Sequence, residues 1–310
     1  MEIGIGLPNA VLGVRGPQLV DWAREAERAE FSCLGTIDRI VYSNYESLIG
    51  LAAAAAVTER IRLVTSVLLA PLRTNTALFA KQAASVDGIS GGRLLLGLAP
   101  GGREDDYEVS GVDFHSRGKA FDRQLEELRR LWDGDEVGPK PANRGGPAVI
   151  LGGSTDVAFR RAARYGAGWI MGGGTPDAFK AAVPKLEAAW RDAGRDGEPR
   201  KMGLGYFSLG PDAQDHANRA LTHYYAWLGD HAEQVADSAA KDAETINGYV
   251  EAFEEAGCDE FIFFPANADP GQVGLLREAL GGAGAPPTAT RRDAQRRGAR
   301  HRAGAPVARR

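Results

Sequence analysis

Short apolar runs alternate along the chain with longer segments in which apolar side chains recur on one helical face. Continuous apolar runs of this kind are typical of parallel strands that are buried on both faces. Eight such runs occur, at Ile3–Leu7, Ser32–Ile37, Ile61–Leu69, Arg93–Leu98, Ala148–Leu151, Gly168–Gly172, Met202–Leu209 and Glu260–Pro265. Eight strand–helix units in about 280 residues predict an α/β fold, a closed (β/α)8 TIM barrel rather than an open doubly wound sheet.

Two connections are longer than a barrel requires. Residues Ala99–Arg117 follow the fourth predicted strand, and Pro211–Lys241 follow the seventh. The pattern across Ala213–Ala256 predicts one long helical region. Because both insertions follow strands, we expect them at the carboxyl-terminal face, where barrel enzymes carry their sites.

Charge and composition divide the chain into two parts. Its 310 residues carry a net charge of −4, but residues 286–310 contain eight arginines and one aspartate, which leaves −11 on the remainder. We expect a barrel domain at 1–282 and a disordered, arginine-rich tail at 283–310, which lacks any hydrophobic period. The negative body makes nucleic acid an unlikely partner.

The remaining compositional features indicate a cytoplasmic protein. The chain opens directly into an apolar run without a secretion signal, and no apolar stretch is long enough for a bilayer. Cys33 and Cys258 are the only cysteines, so no disulfide framework is expected.

Several chemistries are excluded by the absence of their motifs. The chain contains no GxGxxG, GxxxxGK[ST] or HExxH sequence, and its five histidines have no metal-ligand spacing, so no metal site is predicted. One GxSxG match, Gly88–Gly92, lies between a predicted helix and the following strand. A nucleophile elbow requires the opposite order, so this segment is interpreted as a turn.

The candidate site residues therefore lie at the ends of strands. Gly152, Gly153 and Ser154 follow the fifth strand and open a helix, an arrangement suited to phosphate, and Gly172–Gly173 repeat it one unit later. Asp38 and Arg39 follow the second strand. Plain turns for the glycines, and a loop-anchoring role for Asp38, remain open alternatives.

Three segments carry a resemblance to a known family. They read SVLLAPLRTNTALFAKQAASVDGISGGRLLLGLAPGG, RGKAFDRQLEELRRLW and ILGGSTDVAFRRAARYGAGWIMGG. In this order they resemble the bacterial luciferase-like monooxygenase family, and the resemblance covers roughly residues 1–280.

The resemblance implies a barrel that binds reduced FMN or, in many members, the deazaflavin coenzyme F-420. The cofactor-binding positions that it implies are Ser66, Val67 and Leu68 under the ring, Ala99, Pro100 and Gly101 beside it, and Gly152, Gly153, Ser154, Gly172 and Gly173 toward the phosphate. It also implies a cis peptide bond at Ser66–Val67.

The chain departs from the family at Asp38-Arg39, where many members have Asp-His. Arginine does not serve as a general base near neutral pH, so the catalytic group stays unknown, with Asp38 and Arg39 as candidates. Arg39 could hold an anionic substrate or pair with Asp38 or Asp105. Aromatic side chains that could line the substrate pocket are Tyr107, Tyr206, Phe207, Tyr224, Tyr225 and Trp227.

The resemblance predicts a flavin-dependent oxidoreductase or monooxygenase that uses reduced FMN and O2 on a small organic substrate. The alternatives are a hydride-transfer enzyme that uses coenzyme F-420 and a non-catalytic flavin-binding protein. A flavin reductase or an F-420-reducing enzyme would supply electrons, and assembly as a homodimer is left open.

Overall fold

The computed structural model describes residues 1–281 of the chain. The predicted arginine-rich tail, 283–310, lies outside these residues. Within the described part, no helix is both long and apolar enough to cross a lipid bilayer.

A single parallel sheet forms the centre of the molecule and closes on itself. Its nine strand segments are β1 (Glu2–Gly6), β2 (Cys33–Thr36), β3 (Arg62–Thr65), β4 (Leu68–Leu69), β5 (Leu94–Ala99), β6 (Ala148–Gly152), β7 (Gly168–Met171), β8 (Arg200–Phe207) and β9 (Glu260–Pro265). Except for β3 and β4, neighbours in the chain pair in parallel. In addition, β9 pairs with β1 and β3 pairs with β5, so the ring is complete. The predicted (β/α)8 barrel is confirmed.

Helices surround the barrel. They are α1 (Gly16–Arg28), α2 (Ser47–Ala55), α3 (Thr76–Ile89), α4 (Glu104–Val109), α5 (Arg117–Asp133), α6 (Asp156–Tyr165), α7 (Pro176–Asp192), α8 (Ala213–Tyr224), α9 (His231–Asp237), α10 (Ala243–Glu255) and α11 (Gly271–Gly281). The first insertion contains α4, and the second contains α8 and α9. Both insertions therefore follow the fourth and seventh barrel strands, β5 and β8, as predicted.

The third barrel strand is divided, although its sequence predicts one continuous run. β3 ends at Thr65 and β4 begins at Leu68, and both segments pair with β5. The intervening Ser66–Val67 peptide bond is cis, as the family resemblance implies. A hydrophobic pattern carries no signal for this interruption, because the apolar character continues through it.

The helical region predicted across Ala213–Ala256 is divided into several shorter helices. The segment contains α8, a 3-10 turn at Ala226–Leu228, α9 and α10. Gly229 has a positive φ of 57°, which ends the first helical part. Farther along, Ala240 returns to the sheet, where its N–H donates to the Tyr206 carbonyl at 2.9 Å and its carbonyl accepts from Ser208 N–H at 3.0 Å.

The core has an inner and an outer layer because successive strand side chains alternate between the two faces. The larger outer layer lies between the strands and the helices. The inner layer fills the barrel and consists of Cys33, Val64, Leu95, Ile150, Ile170, Met202, Leu204, Ile262 and Phe264. Ile37, Val67 and Tyr206 pack on it from the carboxyl-terminal side and thus form the top of the filled interior.

A buried carboxylate closes the opposite end of the barrel. Glu260 is fully buried and accepts hydrogen bonds from Arg62 and Arg200 at 2.8 Å each and from the Ser32 hydroxyl at 2.5 Å. Burial by itself would raise the pKa of Glu260, but these hydrogen bonds and the two positive charges lower it overall. This cluster lies at the strand amino termini and therefore serves stability rather than the site.

Candidate functional site

Three of the predicted cofactor positions form a continuous small-residue surface at the carboxyl ends of the strands. A Cβ atom added to Gly152 would lie 3.2 Å from the Ala99 Cβ and 3.4 Å from a Val67 methyl group. Gly97 allows the close approach of β3, because a Cβ there would lie 1.8 Å from the Thr65 carbonyl oxygen. We call Val67, Ala99 and Gly152 the floor.

The two residues that flank Val67 have different environments. Leu68 is fully buried in the outer core, so its side chain faces the helices rather than the barrel mouth. Ser66 is also buried, yet its hydroxyl has no hydrogen-bond partner among the described residues. A buried hydroxyl without a partner is costly in a folded protein, and Ser66 is one of three such hydroxyls among the described residues and the one that directly precedes Val67 of the floor.

The turn after β6 brings Gly152, Gly153 and Ser154 to the amino terminus of α6. Thr155, rather than Ser154, caps α6, and its hydroxyl accepts the Ala158 N–H at 3.3 Å. Gly153 has a φ of +123°, and its carbonyl accepts the Trp169 indole N–H at 2.6 Å. Ser154 is exposed beside the first turn of the helix.

The turn after β7 repeats this arrangement and is more open. Thr175 caps α7 by accepting the Ala178 N–H at 3.2 Å. A Cβ atom on Gly172 or Gly173 would have no neighbour within 4 Å. Since β6 and β7 pair, with Gly152 opposite Ile170, the two glycine turns lie on adjacent strands. Each helix also carries an exposed aspartate in its first turn, Asp156 or Asp177.

Pro100 and Gly101 lie at the start of the first insertion. The Pro100 carbonyl accepts the Tyr107 hydroxyl, and Gly101 has a φ of +73°. A Cβ on Gly101 would lie 2.6 Å from Leu69 Cδ2, so this glycine lets the insertion pack against β4. These residues place α4 over one side of the floor.

Asp38 anchors a loop. Its carboxylate forms a bidentate pair with Arg73, at 2.7 and 2.9 Å, and accepts the Leu69 N–H at 2.9 Å. Arg73 also donates to Glu46 at 3.0 Å. Burial by itself would lower the pKa of Arg73, but Asp38 and Glu46 raise it overall. Asp38 therefore fixes β4, which directly follows the Ser66–Val67 bond, to the loop after β2.

Arg39 pairs with the first insertion rather than with Asp38. Its guanidinium contacts Asp106 and donates to Asp105 at 2.7 Å. Asp106 is fully buried and also accepts the N–H groups of Ile40 and Val41, each at 2.9 Å. The prediction that Arg39 could pair with Asp105 is confirmed, whereas pairing with Asp38 is wrong, because Arg73 occupies both carboxylate oxygens of Asp38.

Aromatic side chains from the second insertion cover the barrel mouth. The Tyr206 hydroxyl, from β8, is 2.8 Å from the Tyr225 hydroxyl. The Arg103 guanidinium, from the first insertion, lies 4.6 Å from the ring centroid of Tyr224 and 5.5 Å from that of Tyr225. Burial raises the pKa values of Tyr206, Tyr224 and Tyr225 above that of a free phenol, so all three are neutral at pH 7.

Three other candidate aromatics lie elsewhere. Phe207 is fully buried in the outer core, 6.3 Å from Phe263 between ring centroids. Tyr107 belongs to α4 of the first insertion and is buried, and burial raises its pKa to about 12. Trp227 is mostly exposed, with its ring 4.9 Å from the Arg103 guanidinium.

Sequence reasoning missed Arg73, Asp106 and Arg103 as parts of the site. Arg73 and Arg103 stand in loops and Asp106 lies on the short helix α4, and each acts through a partner far away in the chain. Within residues 1–281, no group of three or more His, Cys, Asp or Glu side chains is arranged to hold a metal ion.

Comparisons with known proteins agree with this architecture. The chain is 39% identical over 131 residues to an uncharacterized protein of Mycobacterium tuberculosis, which is 38% of this chain and 45% of that relative. It is 25% identical over 232 residues to the FMNH2-dependent dimethylsulfone monooxygenase of Pseudomonas putida, which is 69% of this chain and 59% of that relative. The chain thus spans about half the length of the curated relatives it matches.

Solved structures share the fold. A monooxygenase from Streptomyces bottropensis superposes with a TM-score of 0.76 at 23% identity, over 91% of this chain and 99% of that chain. An F-420-dependent secondary alcohol dehydrogenase, in complex with an F-420–acetone adduct, gives a TM-score of 0.73 at 19% identity, over 92% of this chain and 99% of that chain. The family model for luciferase-like monooxygenases matches residues 1–273, and the chain therefore belongs to the luciferase-like monooxygenase family.

Proposed function

We propose that this protein is a flavin-dependent monooxygenase that uses reduced FMN and O2 to oxidise a small organic substrate. Family membership supports oxidoreductase chemistry, and the relative named as an FMNH2-dependent monooxygenase supports FMN over coenzyme F-420. When bound, reduced flavin supplies the electrons and the reaction with O2, while the protein binds, orients and shields the reactants.

The observation that carries this proposal is the buried Ser66 hydroxyl, which has no hydrogen-bond partner within residues 1–281 and adjoins the floor. The floor presents little side-chain bulk, as a planar ring system requires. A polar, planar ligand there would give Ser66 a hydrogen-bond partner. The residues present therefore fit a flavin.

The glycine turns after β6 and β7 would hold the flavin phosphate. Their first-turn N–H groups have no acceptors within the helix, and the helix dipole favours an anion at this end. Gly172 and Gly173 leave room for a ligand close to the backbone. Asp156 and Asp177 oppose this attraction, so the helix termini alone do not make a strong anion site.

Arg39 does not take the role of a catalytic base in this proposal. Arginine does not accept a proton near neutral pH, and two of the three guanidinium nitrogens of Arg39 contact Asp105 and Asp106. Instead, we propose that Arg39 positions α4 over the barrel mouth. A separate flavin reductase would supply reduced FMN.

Anaerobic titration with reduced FMN and reduced coenzyme F-420 tests the choice of cofactor. We expect reduced FMN to bind at least about tenfold more tightly, a difference of about 1.4 kcal/mol. Tighter binding of F-420 would refute the FMN assignment. Oxidation of NADH by a flavin reductase, with O2 and a substrate panel, then separates an enzyme from a protein that binds flavin without turnover.

Ser66→Ala adds a test of the residue itself. Because the wild-type hydroxyl has no partner, its removal should leave the melting temperature unchanged or raise it, while the affinity for reduced FMN falls about threefold to tenfold. Ser208→Ala is the matched control, since the Ser208 hydroxyl is also buried without a partner. It should not change FMN affinity. Equal FMN affinity in wild type and Ser66→Ala would contradict the proposed contact.

A further inference from the structure

A cavity of about 450 Å³ lies between the turn after β7 and the second insertion. It is within the size range of small-molecule sites. On one side it reaches Gly172–Thr175, which we assign to the cofactor, and on the other it reaches Tyr206 and Tyr225. Leu228, Val235 and the aromatic side chains of α10 and β9 complete the wall.

The residues that line this cavity include no carboxylate, ammonium or guanidinium group. No Asp, Glu, Lys or Arg occurs among its described lining residues, and His231 is the one histidine among them. Two larger depressions differ: one of about 570 Å³ is lined by Arg15, Arg219, Asp21 and Asp269, and one of about 700 Å³ by Arg160, Arg164, Lys185 and Asp192. A cation that enters this cavity would find no carboxylate, and an anion would find only the exposed His231, so the wall favours a neutral ligand.

Aromatic rings form the inner wall. The Phe253 and Phe261 ring centroids are 4.4 Å apart, and Tyr249 stacks on Phe261 at 6.2 Å with an interplanar angle of 16°. The neighbouring strand has Gly205, where a Cβ atom would lie 3.0 Å from Phe261 Cζ. Phe253 and Phe261 are fully buried and support this wall from behind, whereas Tyr249 is partly exposed, so Tyr249 is the ring that a ring-bearing ligand would meet by edge or face contacts.

The Tyr206–Tyr225 pair places a hydrogen-bond donor in this apolar wall. Each phenol has one proton, so one hydroxyl donates to the other and the second proton remains available to a ligand. Burial raises both pKa values, which keeps both protons in place at pH 7. The hydroxyl of Tyr249, in contrast, already donates to the Ser238 carbonyl at 2.6 Å.

We propose that this cavity is the substrate site and that it takes a compact, neutral, ring-bearing molecule whose oxygen accepts a hydrogen bond from the Tyr206–Tyr225 pair. Ketones are the simplest members of this class. The identification of the ligand as a substrate rests on the proposed function, whereas its binding is measurable without flavin.

Ligand-observed NMR and calorimetry on the flavin-free protein test this inference with three probes of similar size. Acetophenone has the ring and the oxygen, ethylbenzene lacks the oxygen, and benzoate adds a charge. We expect acetophenone to bind most tightly and benzoate to bind least. Benzoate binding as tightly as acetophenone would overturn the inference.

Two pairs of variants locate the binding. Val235→Phe fills the cavity and should weaken acetophenone binding at least about tenfold, whereas Val157→Phe, at a half-exposed position on α6, should not change it. Tyr225→Phe should weaken acetophenone binding about threefold to tenfold but leave ethylbenzene binding unchanged. Tyr165→Phe removes a hydroxyl bound to Glu126 on the outer helices and is its control.

Equal acetophenone affinity in Val235→Phe and wild type would show that the ligand binds elsewhere and would overturn the proposal. Equal losses of acetophenone and ethylbenzene binding in Tyr225→Phe would overturn the role of the phenol pair. If these variants behave as expected but the protein does not bind reduced FMN, the ligand site stands and only the proposed function is refuted.

Discussion

The ion pair between Asp38 and Arg73 should contribute strongly to stability and to the geometry of the flavin floor. The Asp38 side chain is 2% exposed and that of Arg73 is 12% exposed. Asp38→Asn leaves Arg73 with Glu46 as its remaining carboxylate partner, and Arg73→Met leaves the Asp38 carboxylate with the Leu69 N–H and the Ser47 hydroxyl.

Removing one partner of a buried pair costs about 3–5 kcal/mol, because the remaining charge stays buried with only part of its compensation. We therefore expect each single variant to lose roughly 3 kcal/mol of unfolding free energy. For a domain of this size the loss corresponds to a decrease in melting temperature of about 6–12 °C. In the double variant Asp38→Asn/Arg73→Met no uncompensated charge remains, so its loss should be smaller than the sum of the single losses by at least about 2 kcal/mol.

Urea unfolding of all four proteins gives this coupling energy directly. The exposed pair Asp21–Arg24, with side chains 59% and 47% exposed, is the control. The double-mutant cycle of this exposed pair, Asp21→Asn with Arg24→Met, should give a coupling energy of no more than about 0.5 kcal/mol. A coupling in the Asp38–Arg73 cycle as small as that of the exposed pair would refute the argument from burial.

The same variants connect stability to the cofactor. Because the Asp38–Arg73 pair holds β4 against the loop after β2, its loss should displace the segment that carries Ser66 and Val67. Reduced FMN should then bind more weakly to folded Asp38→Asn than to wild type, measured well below the unfolding transition. Unchanged FMN affinity in Asp38→Asn would show that the Asp38–Arg73 pair does not control the geometry of the flavin floor.

Three further predictions concern charge at the two ends of the barrel. Gly172→Asp should weaken FMN binding at least about tenfold without loss of folding, because a Cβ at this position has open space. The control Gly88→Asp, at an equally open position on α3, should not change FMN binding. Equal FMN titration curves for Gly172→Asp and wild type would show that Gly172 is not part of the phosphate site. Asp156→Asn should tighten FMN binding about twofold to fivefold at low salt, because it removes a repulsive charge from the first turn of α6. A larger increase in FMN affinity in Asp177→Asn would instead place the phosphate at α7. The pKa of Glu260 is lowered in the folded state, so its ionised carboxylate stabilises the fold above pH 4.5, its ordinary pKa, and this stabilisation is lost as the pH falls through the folded pKa. Glu260→Gln should therefore lower the melting temperature at pH 7, and the difference from wild type should shrink in acid. A difference in melting temperature that stays constant at all pH values would contradict this.

The sequence by itself determined the architecture. Continuous apolar runs and helical periods are local properties, and eight repeats of this unit leave few ways to bury all the apolar surface other than a closed barrel. The glycine turns after β6 and β7, and the insertions after β5 and β8, were likewise predictable, since turn residues and breaks in the period mark them in the chain.

Only the tertiary structure decided which charged and polar side chains meet. Asp38 pairs with Arg73, and Arg39 with Asp106, because barrel closure brings together loops that follow different strands. The break within the third strand and the meeting of Tyr206 with Tyr225 also depend on that closure. A hydrophobic period specifies which face of each element is buried, but it does not specify which loop lies beside which. For that reason the sequence could name Asp38 and Arg39 as candidates, while their roles as anchors followed only from the folded barrel.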